Sequence, residues 1–151
     1  MKRISVYRVQ LMKVETLQVE ESTIRNPDTA ADITRSFLRL MYGEGLPDRE
    51  LVGVMYLNTK NRVTGIELIS IGTIDSSLLT MREAFKGAIL HNAHSIIAFH
   101  NHPSGIPTPS KEDIEVSKRL IQTGELLGIE FLDHIVLGER KYVSLKQDGL
   151  I

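Results

Sequence analysis

Two histidines spaced two residues apart, His100 and His102, follow directly on a short apolar run, SIIAF, at residues 95–99. A period of two places both imidazoles on one side of an extended backbone. Two neutral imidazoles so placed make half of a site for a divalent metal. A carboxylate is the natural third ligand, and Asp113 stands in the first turn of a helical stretch beyond the loop 100–110. Three protein ligands leave a fourth position for water, which distinguishes a catalytic zinc site from a structural one. Each piece also has a plainer reading. A His-x-His pair can be two polar residues leaving the core. Ser110-x-x-Asp113 ahead of an apolar helical stripe is also a capping-box-like pattern. Three of the five prolines fall in this loop and can serve only to stiffen it. Paired histidines at a buried strand end, a rigid loop, then Ser110 and Asp113 at a helix start are harder to dismiss together.

The surrounding pattern supplies elements able to hold these residues. Residues 4–14 place Ile4, Val6, Val9, Leu11 and Val14 among polar residues, which predicts an early strand. Asn26-Pro27-Asp28 reads as a helix start, and Ile33, Phe37, Leu40 and Met41 fall on one helical face. Gly43, Gly45 and Pro47 end that helix. Residues 51–57, LVGVMYL, read as a buried strand, and a second strand is predicted over Val63 to Ile74. Thr80 to Asn92 reads as a helix with Ala84, Phe85, Ala88 and Ile89 inward. A strand over 95–99, a helix over Lys111 to Leu127 stopped by Gly128, and strands near 129–137 and 142–145 complete the order. This is an α/β (α+β) arrangement, with helices on a mixed sheet.

His100-x-His102, seven residues, Ser110, two residues, Asp113 is the H-x-H-x7-S-x-x-D pattern of the JAMM (MPN+/JAB) zinc metalloproteases. The stretch AFHNHPSGIPTPSKED resembles the RadC-type branch of that superfamily, as do IGTIDSSLLTMREAFKGAI before it and LGIEFLDHIVLG after it. The similarity runs from about residue 25 to the C-terminus, with five fixed motif positions once Pro103 is included. The resemblance implies a three-layer α/β/α fold of the JAMM/MPN (cytidine-deaminase-like) kind over residues 26–151, with residues 1–25 as an N-terminal strand or extension. It implies His100, His102 and Asp113 as ligands of Zn²⁺, and Ser110 as a hydroxyl that stabilises an oxyanion. JAMM enzymes also use a glutamate as general base, placed between an opening helix and the first core strand. Glu50 occupies that place, and Glu67 and Glu83 are its rivals. Zinc makes a nucleophile available from water near neutral pH, so the implied reaction is hydrolysis of a peptide or isopeptide bond. RadC proteins often carry an N-terminal helix-hairpin-helix-like region. The 25 or so residues before the first helix are too few for it, so the chain resembles the short stand-alone forms.

Outside the motif, His134 in LDHIVLG could sit behind the site or pair with Asp133, but reads first as a satisfied structural residue. His91 and His94 flank a helix-to-strand turn and read as exposed. Tyr7, Tyr42, Tyr56 and Tyr142 are too scattered for a base-stacking platform.

Composition bounds the alternatives. A chain of 151 residues suits one core. The absence of cysteine removes disulfides, thiolate zinc sites and cysteine nucleophiles, and fits a cytoplasmic protein. A net charge of −1 and no block of like charges argue against tight binding of nucleic acid. No apolar run approaches the length of a membrane span, and the N-terminus lacks a signal-peptide apolar region. Two further readings are a JAMM-like module that only binds a partner protein, which retained ligands disfavour, and a DNA-repair-associated RadC-like protein. The substrate is expected to be a peptide or protein of unknown identity. A homo-oligomer could form if the 4–14 segment pairs with another chain's sheet edge.

Overall fold

A computed structural model of the chain describes residues 1–72 and 79–151. Helix α1 (Pro27–Tyr42) begins where the sequence placed it. Asn26 caps it by accepting from the Thr29 N–H at 3.0 Å, and Pro27 occupies the first turn. Strand β1 (Leu51–Leu57) pairs antiparallel with β2 (Val63–Ile71) and, on its other side, with β3 (Ser95–Asn101). Helix α2 (Met81–Leu90) lies between β2 and β3 in the chain. Helix α3 (Lys111–Leu127) is the crossover that lets β4 (Glu130–Leu137) run parallel to β3, and β5 (Tyr142–Ser144) folds back on β4. The five-stranded mixed sheet has the order β2-β1-β3-β4-β5.

Every residue of β1 and β3 is buried, because these strands lie inside the sheet with helices on both faces. Alternation divides them between two cores. Leu51, Met55, Leu57, Ile97 and Phe99 pack against Ala30, Ile33 and Phe37 of α1. Val52, Val54, Tyr56, Ile96 and Ala98 pack against Phe85 and Ala88 of α2 and Leu120 of α3. This is the three-layer α/β/α arrangement. Phe37 meets Phe99 edge-on at 5.7 Å between ring centroids, a geometry that contributes about 0.5–1.5 kcal/mol beyond area burial.

Five expectations are corrected. Residues 4–14 form no strand. Ile4, Val6, Val9 and Val14 stand exposed, since their imperfect alternation meets no sheet edge; Leu17 and Val19 pack against the core, and the isolated Thr23–Arg62 bridge ties the segment to the sheet. Leu40 and Met41 are 44% and 48% exposed, because the last turn of α1 runs beyond the core that takes Phe37 and Leu38. Ile89 is 56% exposed, since α2 seats its Ala84, Phe85, Gly87 and Ala88 face instead. The second strand closes at Ile71, with Gly72 outside it, and residues 73 and 74 of the predicted span lie outside the described residues. The third strand runs two residues further than predicted, so His100 lies within it.

Candidate metal centre

His100 projects from β3 toward α3, on the same face as Ile96 and Ala98, and is buried. His102 follows the strand end. Its backbone N–H still bonds the Leu137 carbonyl at 2.9 Å, which continues the parallel pairing past β3. A tight turn follows, with Gly105 at φ 83°, a conformation that favours glycine. The turn brings the Ile106 carbonyl to 2.9 Å from Nδ1 of His102. A carbonyl only accepts, so that nitrogen carries the proton and Nε2 of a neutral His102 presents a lone pair.

Asp113 is the third residue of α3 and completes a capping box with Ser110. The Ser110 N–H donates to Asp113 Oδ2 at 2.7 Å, and the Asp113 N–H donates to Ser110 Oγ at 3.1 Å. The capping and ligand readings therefore hold together, because the cap aims the same carboxylate at the histidines. Oδ1 lies 3.4 Å from His100 Nε2, Oδ2 lies 3.4 Å from His102 Nε2, and the two Nε2 atoms are 3.0 Å apart.

These separations suit zinc. Ligands at about 2.0–2.1 Å in a tetrahedral shell stand about 3.3 Å apart. Two imidazole nitrogens 3.0 Å apart also need a proton or a cation between them to be stable neighbours. The electrostatics agree. The Asp113 carboxylate facing its ring pulls the His102 pKa up against the opposing effect of burial, and the Ile106 carbonyl and the charges of Asp113 and Glu50 add to the rise. Burial works against the charged form of Asp113. The two imidazoles and the Ser110 N–H outweigh it and hold the carboxyl well below the usual carboxylate range. Among the described residues, His100, His102 and Asp113 are the group of three or more donors close enough to share an ion.

Glu50, half-buried just before β1, lines a small cleft of about 50 Å³ with Val52, Leu79, Glu112, Asp113, Val116 and His134. Its rivals lie elsewhere. Glu67 on β2 accepts from the Tyr56 hydroxyl at 2.6 Å, and Glu83 on α2 pairs with Lys86 at 3.0 Å. Neither lines this cleft. Ser110 is exposed. Its Oγ is the acceptor in the cap bond, which leaves the hydroxyl hydrogen for another partner.

Two polar residues near the centre, Ser117 and Asn101, carry no assignment from the sequence, and a third, His134, reads there first as structural. His134 is satisfied as expected, but its partners are functional candidates: Nε2 lies 2.8 Å from Nδ1 of His100, and Nδ1 lies 2.7 Å from Ser117 Oγ. Asp133 does not pair with that ring. It accepts from the His134 backbone N–H and from Ser144. Burial and the neighbouring His100 push the His134 pKa down to about 3. Ser117 donates to the Asp113 carbonyl at 2.7 Å. Asn101, between the two candidate ligands, turns to the opposite face and binds backbone on both sides of Glu50. The i, i+4 spacing of Ser117 from Asp113 was a readable signal for that one contact. His91 also departs from expectation. It is half-buried and stacks on Tyr56 at 4.4 Å, whereas His94 is exposed as predicted.

The molecule is thus an α/β/α domain with a three-donor cluster where a parallel strand pair meets the start of its crossover helix. Comparison with known proteins specifies the class. The family model for the RadC-like JAB domain matches residues 24–150, and the chain belongs to that family. It is 47% identical over 128 residues to a UPF0758 protein of Desulfitobacterium hafniense, covering 85% of this chain and 54% of that protein. It is 45% identical over 132 residues to the UPF0758 protein YsxA of Bacillus subtilis, covering 87% and 54%. A UPF0758 protein of Desulforamulus reducens is 47% identical over 144 residues, covering 95% and 59%. The chain thus spans little more than half the length of these relatives. Among the described residues no helix is long and apolar enough to cross a membrane.

Proposed function

We propose that this chain is a zinc-dependent metallohydrolase that cleaves a peptide or isopeptide bond. The observation that carries the reading is the convergence of His100 Nε2, His102 Nε2 and the Asp113 carboxylate within 3.0–3.4 Å, beside a cleft also lined by Glu50. His100, His102 and Asp113 would hold the ion. Zinc in a site with three protein ligands supplies Lewis acidity and a nucleophile available near neutral pH. The chain's residues do the rest. Glu50 takes the proton of the attacking water and returns it to the departing amine. The Ser110 hydroxyl donates to the oxyanion of the tetrahedral intermediate, an interaction whose loss costs roughly 10²–10³ in turnover. Membership of the JAB family supports this assignment of roles.

Elemental analysis of tag-free protein tests the reading first. About one zinc per chain is expected, and none in Asp113→Ala. Glu50→Gln should keep the metal and lose hydrolysis on a peptide and isopeptide substrate panel. If Glu67→Gln does so instead, the base is misassigned. A wild-type protein that takes up no zinc at neutral pH overturns the hydrolase and leaves a partner-binding module.

A further inference from the structure

The hydrolytic reading uses His100 on β3 and Asp113 on α3, but not the two buried groups that join them. Ser117 and His134 close a circuit from the side chain of His100 to the main chain of Asp113. Its proton directions can be worked out from contact chemistry. The Asp113 carbonyl only accepts. Ser117 Oγ lies 2.7 Å from it, and two oxygens at that distance need a hydrogen between them, which only the hydroxyl can provide. With its one proton committed, Ser117 Oγ must accept from His134 Nδ1, also at 2.7 Å. The His134 ring is 2% exposed, and its nitrogens face a hydroxyl and an imidazole, not a carboxylate, so it holds one proton, on Nδ1. Its Nε2 is then an acceptor, and the group 2.8 Å away, His100 Nδ1, must donate. A neutral His100 protonated on Nδ1 turns an Nε2 lone pair toward His102 and Asp113, ready for the proton or cation that the 3.0 Å approach to His102 requires.

We propose that Ser117 and His134 are positioning residues that hold His100 in the one tautomer able to bind a metal. The inference rests on the metal-centre reading and deepens it. Run in the opposite direction, the circuit would put a hydrogen on His100 Nε2, in the space between the donors, and metal binding would first have to remove it. It would also leave the Ser117 and Asp113 oxygens facing each other without a proton. The Asp113 carbonyl that starts the circuit belongs to the residue whose carboxylate is the third donor. The seating of α3 and the tautomer of His100 are therefore set together. Metal-ligating histidines commonly depend on such outer partners, whose loss costs roughly 10–100-fold in metal affinity.

Nitrogen-15 NMR of the imidazoles in the full chain, recorded first without metal and then with zinc, reads the tautomers directly. His100 and His134 are both expected to carry hydrogen on Nδ1 before metal is added, and His100 to keep it there in the zinc form. Ser117→Ala should populate the other His100 tautomer and weaken zinc binding, measured by chelator competition, about tenfold. Ser117→Thr, which restores the hydroxyl, should recover both. Circular dichroism and urea unfolding establish that each variant is folded. His134→Gln, whose amide oxygen can still accept from His100, should bind zinc more tightly than His134→Leu. Hydrogen on His100 Nε2 in the metal-free wild type overturns the inference, as does a folded Ser117→Ala with unchanged tautomer and affinity. Failure of the wild type to bind zinc sinks the hydrolase reading instead, and the metal-free tautomers still decide this one.

Discussion

Asn101 offers the sharpest test of how the sheet places Glu50. Its side chain is fully buried and makes three bonds, all to the segment that leads into β1. Oδ1 accepts from the Leu51 N–H at 2.8 Å, and Nδ2 donates to the carbonyls of Arg49 at 2.9 Å and Pro47 at 3.3 Å. The residues on either side of Glu50 are thus tied to the residue between His100 and His102, while the Glu50 carbonyl accepts from the Gly72 N–H at 2.8 Å. Asn101→Ala removes all three bonds. Leu51 is buried, so leaving its N–H without the Asn101 acceptor costs about 1–3 kcal/mol. The Pro47 and Arg49 carbonyls lie nearer solvent and recover water, adding little. A loss of about 1–3 kcal/mol corresponds, in a domain of this size, to a fall in Tm of about 2–12 °C. Urea and thermal unfolding of the variant measure it. Asn101→Asp separates the two ends of the amide. It keeps the acceptor for Leu51 but turns a carboxylate oxygen toward two carbonyls. It should therefore be at least as unstable as Asn101→Ala at neutral pH, and should recover as acid restores one donor. Zinc binding should persist in both, because the Asn101 side chain leaves the face that carries His100, while hydrolysis falls as Glu50 loses its seat. A cost below about 0.5 kcal/mol in Asn101→Ala, the range of an ordinary surface substitution, would refute the clamp.

Two further predictions concern stability. In metal-free protein the His102 pKa is raised, so its contribution is fully present below pH 6.5 and is lost as pH rises through the folded value. The His134 pKa is lowered to about 3, so its contribution is present above pH 6.5 and drains away as pH falls toward 3, and that of Asp113 follows only below pH 3.8. Stability from urea midpoints should peak near pH 6.5 and fall between pH 6 and 4 by about 1.4 kcal/mol per unit, with a flat profile there counting against a buried neutral His134. Gly87→Ala drives a methyl group into the Tyr56 hydroxyl and the Glu67 carboxylate, so it should cost about 1–3 kcal/mol in urea unfolding while zinc content is unchanged. A neutral result would mean that α2 can shift away from the sheet.

The parts of this molecule that the sequence revealed are those in which one short segment carries the whole signal. The LVGVMYL run can only be a strand covered on both faces, and Ser110 through Gly128 contains a cap, a stripe and a stop, so α3 is found at its predicted limits. Periodicity identifies a face, but not how far the surface opposite it extends. That is why Met41 and Ile89 fit a pattern and still meet solvent, and why the alternation at residues 4–14 produces no strand. The histidine pair and Asp113 were legible because the loop between them is short and stiff. The residues that hold them were not. His134 reaches His100 only because β3 and β4 pair in parallel with Ala98 opposite His134, a register set by the crossover and not by either strand's own residues. Asn101 is the intervening residue of the His-x-His pair, and the same alternation that puts the histidines on one face sends it to the other, where it holds the backbone on both sides of Glu50. In a motif on a strand, the intervening residue is the one that sees the opposite wall. A His-x-His motif therefore specifies two ligands and, through the residue between them, a position from which the neighbouring strand can be held.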